Sequence, residues 1–453
     1  MAERTIAAIA TALGEGGIAV IRISGETAIE TADRCFKAVS GEKLTSLAGY
    51  RAAYGTVYDG DTALDDAVAL VFRAPKSYTG EDVVEISVHG GRLMARQVLR
   101  TLLANGAHPA ENGEFTKRAF LNGKLDLTRA ESIMGLISAQ NDAALRISRA
   151  AHDGRISREI DEIIDRLLET AASFAAYADY PDEELPELSP ERFSALLNTV
   201  SDSINALLQS YDAGKILREG IDCAIVGKPN VGKSTLMNIL SGTERSIVTD
   251  IAGTTRDIVE ETVRVGDVVL RLADTAGIHA TDDTVEQVGV DRAKKKIEDA
   301  GLILAVFDSS RELSEDDRAL LESLQGKRAV IILNKTDLDA KIERSVFGEF
   351  PCVEISAKNG DGLEKLSQVI GEITATSSLD PDSAVLINER QRACAQRAKT
   401  AVDEALSALN SGCTLDAVGV CVDDALTALL ELTGRRVTVE VTNEVFKRFC
   451  VGK

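Results

Sequence analysis

Several things are missing from this chain of 453 residues, and each absence narrows what it can do. No run is long and apolar enough to cross a membrane. The amino terminus lacks both the basic region with an apolar core that marks a secretory signal and the Arg-rich, acid-poor composition of a transit peptide. The expectation is therefore a cytoplasmic enzyme with no membrane partner. The seven cysteines, an odd number with no C-x-x-C, favour reduced thiols over disulfides or a zinc cluster. Basic charge is also short: 51 Lys and Arg against 72 Asp and Glu leave a net charge of −21. That argues against unaided nucleic-acid binding, because neutralising phosphates requires clustered cations. Any such contact is confined to a local basic surface, or a partner carries most of it.

Apolar content is not short. At 44% it is ample for several cores, and the length suggests about three domains. The most informative stretch is Gly227-Lys-Pro-Asn-Val-Gly-Lys-Ser234, directly after the apolar run 221–226. Glycines let successive backbone N–H groups close on an anion, Lys233 reaches the β/γ-phosphates, and the Ser234 hydroxyl holds Mg²⁺. Asn230, Val231, Gly232 and Thr235 complete this phosphate loop.

The base is read further on by Asn334-Lys335-Thr336-Asp337, after the run 329–333. An aspartate carboxylate only accepts, so Asp337 pairs with the N1–H and exocyclic amine of guanine, a donor pair that adenine does not offer. Ser356, Ala357 and Lys358, after 352–355, supply backbone N–H groups for the guanine oxygen. Asp274, Thr275, Ala276 and Gly277 lie between, preceded by Thr249, Asp250, Ile251, Ala252, Gly253, Thr254 and Thr255, with Thr255 the second hydroxyl expected on Mg²⁺. Five apolar strands (221–226, 268–273, 302–307, 329–333, 352–355) alternating with helical stretches predict a doubly wound, mostly parallel α/β domain.

Ile278 follows Gly277 where small signalling GTPases carry a water-positioning glutamine. Glu286, in the polar stretch 284–289, is the acid expected to orient the attacking water. Charge neutralisation has two possible sources. The Asn230 side-chain carbonyl can ligate K⁺ together with backbone oxygens near Thr249, Ile251 and Thr254, or Arg256 can act as an arginine finger; a merely structural Asn230 is the bland alternative.

Periodicity places helical core stripes at Ile156, Ile160, Ile163, Ile164, Leu167 and Leu168, and at Leu196, Leu197, Val200, Ile204, Leu207 and Leu208. A solvated linker is expected at 181–190, and a third helical region at 384–432. The simplest architecture inserts the nucleotide domain into a helical domain, with its two ends close together.

Over its whole length the chain resembles the MnmE (TrmE) family of bacterial tRNA modification GTPases. The resemblance is carried by Gly80-Glu-Asp-Val-Val-Glu85, His89-Gly-Gly91, Phe115-Thr-Lys-Arg-Ala-Phe-Leu-Asn-Gly-Lys-Leu-Asp126 and the terminal Cys450-Val-Gly-Lys453. It implies an α+β tetrahydrofolate-binding and dimerisation domain at 1–118, helical parts at 119–215 and 379–453, and an inserted G domain at 216–378. It also implies folate contacts at Arg22, Glu85, Lys124 and Lys453, with 5,10-methylenetetrahydrofolate as the one-carbon source and 5-formyltetrahydrofolate as its analogue. Cys450 is the possible chemical group of the tail. The implied reaction is GTP hydrolysis driving K⁺-dependent closure of a homodimer. With the FAD-dependent partner MnmG (GidA), in a heterotetramer, it modifies C5 of the wobble uridine of certain tRNAs to the carboxymethylaminomethyl form.

Departures from the family pattern, Thr11-Ala-Leu-Gly14 for Thr-Pro-Pro-Gly and Asn112 for proline, affect loop stiffness rather than ligands. The competing classes are a ribosome-assembly RNA-binding GTPase and a pure regulatory switch. Only one GKS loop is present, 226 residues precede it, and neither class explains the folate-like blocks and the Cys-x-Gly-Lys tail.

Overall fold

The computed structural model describes residues 4–12, 14–179, 190–243, 261–272 and 297–453. The chain divides into two compact units, one of Met1–Met134, Ile160–Leu188 and Ser407–Lys453, the other of Gly135–Glu159 and Ser189–Leu406.

The first unit is built on seven strands, β1 (Ile6–Ile9), β2 (Ile18–Ser24), β3 (Phe36–Ala38), β4 (Arg51–Asp59), β5 (Thr62–Phe72), β6 (Val83–His89) and β7 (His108–Pro109), in the order β3-β4-β5-β6-β2-β1-β7. Only the β1–β7 pairing is parallel. Strand alternation sends Ala19, Ile21, Ile23, Val84, Ile86 and Val88 to one face, where helices α1 (Ala28–Cys35) and α2 (Arg92–Ala104) bury Ile29, Ala32, Val98 and Leu102 against them. Each fully buried Ile, Leu or Val among them contributes roughly 1.5–3 kcal/mol. The same alternation turns Arg22 and Glu85, register partners on β2 and β6, to the opposite face.

That opposite face meets helix α3 (Glu114–Leu121), whose Phe115 is buried with Ile6 and Ala8. The helix Val439–Lys447 docks on α3 through Lys117 Nζ to Asn443 Oδ1 at 2.7 Å, and Phe446 and Phe449 pack on Leu127, Ala130 and Ile133. The chain terminus is thereby carried back to the amino-terminal sheet.

The second unit holds a six-stranded sheet, β8 (Ile221–Val226), β9 (Glu261–Val265), β10 (Val268–Leu272), β11 (Leu302–Asp308), β12 (Ala329–Asn334) and β13 (Cys352–Ile355), in the order β13-β12-β11-β8-β10-β9. All pairings are parallel except β9 with β10. Strands β11 and β12 are buried throughout, as expected of parallel strands covered on both faces. The expected doubly wound sheet is therefore present. The antiparallel edge strand β9 was not anticipated. Its charged and apolar residues alternate too briefly to stand out, and the signal lay in the Gly266-Asp267 hairpin turn that joins it to β10.

The long helix Pro190–Glu219 leads into β8, with its proline at the helix start where a missing N–H costs nothing. The chain returns beside it: Lys215 pairs with Glu389 at 3.1 Å, Arg218 donates to the Ile387 carbonyl, and a side chain at Gly214 would collide with Val385. The first helical stripe is buried from Ile156 through Leu167, but Leu168 is 51% exposed, one position off the face. In the second, Leu196 and Leu208 are half-buried and the other four are buried. Of the linker expected at 181–190, only Pro190 is described.

Candidate functional site

The phosphate loop leaves the carboxyl end of β8 and turns into the helix Lys233–Thr243. Gly232 has φ +100°, and a Cβ there would run into the Asn334 side-chain amide, so the close approach of the two loops requires glycine. Asn230 takes φ +63° and is exposed, while Val231 is buried. Lys233 Nζ donates to the carbonyls of Gly227 and Lys228, both at 2.7 Å, and burial pushes its ammonium below the ordinary lysine value. Folding the cation onto its own loop leaves it only neutral acceptors, so an anion in the cradle would favour the charged form and raise that pKa again. Ser234 and Thr235 lie exposed on the first turn of the helix.

Asn334 ties two loops together. Its Nδ2 donates to the Val231 carbonyl at 2.7 Å, and its Oδ1 accepts from Ala357 N–H at 2.9 Å. Ser356 donates from Oγ to Asp337 Oδ1 at 3.0 Å, which orients an otherwise exposed carboxylate, and Lys358 is exposed. Lys335, in a left-handed backbone conformation at φ +68°, places Nζ 2.6 Å from Asp308 Oδ2.

Asp308 was not anticipated, although it closes the apolar run of β11 as Asn334 closes that of β12, in register with it. Its side chain is 4% exposed and also accepts from Ser310 and from Arg311 Nε at 2.9 Å. Burial alone would raise its pKa, but the Lys335 and Ser310 hydrogen bonds override that and bring it down to about 2. Thr249, Asp250, Ile251, Ala252, Gly253, Thr254, Thr255, Asp274, Thr275, Ala276, Gly277 and Glu286 lie outside the described residues.

In the first unit, Arg22 binds Glu85 Oε1 through Nε and Nη2, both at 2.8 Å, with side chains 18% and 25% exposed. The guanidinium lies 5.4 Å from the Tyr78 ring centre and 5.6 Å from that of Phe115. Burial raises the Tyr78 phenol, partly offset by its hydrogen bond with Thr116 Oγ1 at 2.8 Å. Arg22 Nη1 also reaches the Gly452 carbonyl at 3.4 Å.

The tail is held along α3. Gly113 N–H donates to Cys450 O at 3.3 Å, Phe115 N–H to Lys453 O at 3.2 Å, and Val451 forms a bridge with Asn112. Gly452 has φ +93°, and a Cβ there would meet the Ile9 carbonyl. Cys450 is exposed and Lys453 half-buried. Lys124 instead donates to the Pro75 carbonyl at 3.0 Å, on the loop that also carries Tyr78. Beneath the site Arg118 is braced by Glu81 at 3.1 Å and Glu114 at 2.8 Å; burial would lower its pKa, and those carboxylates raise it.

Two family models match the chain. One, described as GTP-binding protein TrmE N-terminus, matches residues 5–124, and one described as MnmE helical domain matches residues 127–450. Among curated relatives, a protein of Geobacillus kaustophilus named tRNA modification GTPase MnmE is 41% identical over 99% of both chains. Proteins of the same name from Listeria welshimeri (42% identical, 99% of both chains) and Clostridioides difficile (38%, covering 100% of this chain and 99% of its own) match equally broadly.

Proposed function

The chain belongs to the MnmE family of tRNA modification GTPases, and on that premise we propose that it couples GTP hydrolysis to folate-dependent modification of C5 of a tRNA wobble uridine. The nucleotide half of this reading is supported by Asp337, oriented by Ser356 to accept the paired donors of guanine, and by Asn334, which braces the base-reading loop against the phosphate loop. Lys233 exchanges its two carbonyl partners for phosphate oxygens, and Ser234 offers its hydroxyl to Mg²⁺. Mg²⁺ supplies charge neutralisation across the phosphates when bound. The exposed Asn230 suits a K⁺ ligand, with Thr249, Ile251 and Thr254 as its partners, and Glu286 orients the attacking water.

The single observation that carries the folate half is the Arg22–Glu85 pair, whose guanidinium lies 5.4 and 5.6 Å from the Tyr78 and Phe115 ring centres and reaches the Gly452 carbonyl of the chain terminus. The donor set fits a reduced pterin. Glu85 Oε2, unbonded among the described residues, accepts from the N–H edge of the ring, and the guanidinium meets its carbonyl oxygen or a ligand carboxylate. Lys453 and Lys124 offer further cations on the tail and the neighbouring loop. The bound folate contributes a one-carbon unit. Tyr78 and Phe115 exclude water from one side of the pocket, and the tail carries Cys450 alongside it.

The domain organisation we propose is a folate-binding and dimerisation domain at 1–118, helical parts at 119–215 and 379–453, and a G domain at 216–378 whose closure against a second copy drives motion of the helical parts. The FAD-dependent MnmG is the proposed partner, in a heterotetramer. Titrating 5-formyltetrahydrofolate into the full-length protein tests the folate site. Wild type should bind, Arg22→Ala should weaken binding about 10- to 100-fold by removing charge-assisted hydrogen bonds, and Gly452→Ala should weaken it by displacing the tail. GTP binding should survive both changes, and equal folate affinity in all three proteins would refute the assignment.

A further inference from the structure

Helix α2, Arg-Leu-Met-Ala-Arg-Gln-Val-Leu-Arg-Thr-Leu-Leu-Ala, carries three arginines and no acid in a chain whose net charge is −21. Arg92, Arg96 and Arg100 are all exposed and recur every fourth residue, so their side chains stand on one face about 6 Å apart along the axis. The opposite face, Ala95, Val98 and Leu102, is locked into the core, so the stripe cannot turn away from solvent. A fourth guanidinium, the exposed Arg34 of α1, lies at the carboxyl end of α2, where it donates to the Asn105 carbonyl at 2.8 Å.

Like charges at this spacing repel and weaken the helix. Elsewhere the same chain relieves a helical cation with an acid one turn on, as in Arg149–Asp153 and Lys399–Asp403. Along α2 the relief is a single loose pair, Arg100 with Asp59 at 3.8 Å, and neither Arg92 nor Arg96 has an ionic partner among the described residues. A solvated face of a strongly acidic protein has no need of an uncompensated row of arginines. A row of planar cations spaced much like successive phosphates along a strand is what a polyanion requires.

We propose that this arginine stripe is where the chain grips the phosphodiester backbone of its tRNA, an inference that rests on the tRNA reading above. It also answers how so acidic a protein meets a polyanion: the contact is a local surface on one helix.

The test measures binding of a fluorescently labelled tRNA with a wobble uridine to the full-length protein over a series of salt concentrations. Arg92→Gln with Arg96→Gln should lower affinity about tenfold or more at low salt. The double change should also flatten the slope of log K against log salt by about 2, one for each phosphate contact removed. GTP and 5-formyltetrahydrofolate binding should be unchanged, and Arg92→Lys with Arg96→Lys should retain the slope because the charges remain. A glutamine pair that keeps wild-type affinity and slope overturns the surface assignment and leaves the tRNA reading intact. A wild-type protein without measurable tRNA affinity overturns both. If the glutamine pair also loses GTP binding, the lysine pair decides, and loss of its slope would likewise overturn the assignment.

Discussion

Replacing Asp308 by asparagine removes the negative charge that, among the described residues, holds Lys335 in place, and the size of the effect can be worked out. The carboxyl lies at about 2 instead of the ordinary 3.8, and each pKa unit is worth roughly 1.4 kcal/mol, so the folded protein favours the ionised form by about 2 kcal/mol. With the side chain 4% exposed, little of that is lost to solvent screening. Because the folded pKa is depressed, the contribution is complete above about pH 4 and is lost as pH falls through about 2. At neutral pH, Asp308→Asn should therefore destabilise the nucleotide domain by about 2 kcal/mol, read as a shift in denaturant midpoint at unchanged slope. In acid, the gap between variant and wild type should close.

Guanine nucleotide affinity should fall in parallel, because Lys335, set in a left-handed backbone conformation at φ +68°, loses the anchor that fixes its side chain in the proposed base-reading loop. Fluorescent GDP titration provides that readout. A variant as stable as wild type at pH 7, with undiminished GDP affinity, would refute the claim that this buried carboxylate organises the base-reading loop.

Three further expectations concern specificity and turnover. Asp337→Asn should exchange the acceptor pair for one acceptor and one donor, which suit the N–H and carbonyl of xanthine, moving preference from GTP towards xanthosine triphosphate by on the order of 10²-fold or more, and unchanged preference in competition binding would sink the base assignment. Exchanging K⁺ for Na⁺ should sharply lower GTP hydrolysis if Asn230 belongs to a cation cage, and equal phosphate release in both salts would discard that role. Glu286→Ala should bind GTP and hydrolyse it slowly, whereas wild-type turnover would remove Glu286 from the site.

The legibility of these sites follows the distance over which each is built. A phosphate cradle is made by consecutive backbone groups, so the one proposed at 227–234 is readable as a string, and the proposed guanine reader needs only one short loop at a strand end. The parallel strands were visible because burial on both faces leaves uninterrupted apolar runs, as in Leu302–Asp308 and Ala329–Asn334. Leu168 was misjudged because a helical stripe drifts and its edges depend on what packs there. Asp308 looked like one acid after an apolar run, since nothing local reveals that β11 lies in register beside β12 and points it at Lys335.

The amino-acid order alone thus determined the glycine-rich turn proposed as the nucleotide loop and the alternation that makes a doubly wound sheet, because both are written in neighbouring residues. Only the tertiary structure decided that Arg22, 430 positions before Gly452, meets its carbonyl near the Tyr78 and Phe115 rings, and that α2 turns three arginines outward. The first depends on helix Val439–Lys447 docking on α3, and the second on which face of α2 the sheet buries. Both are outcomes of packing between segments remote in the chain, where the free energy of burying apolar faces selects the partners.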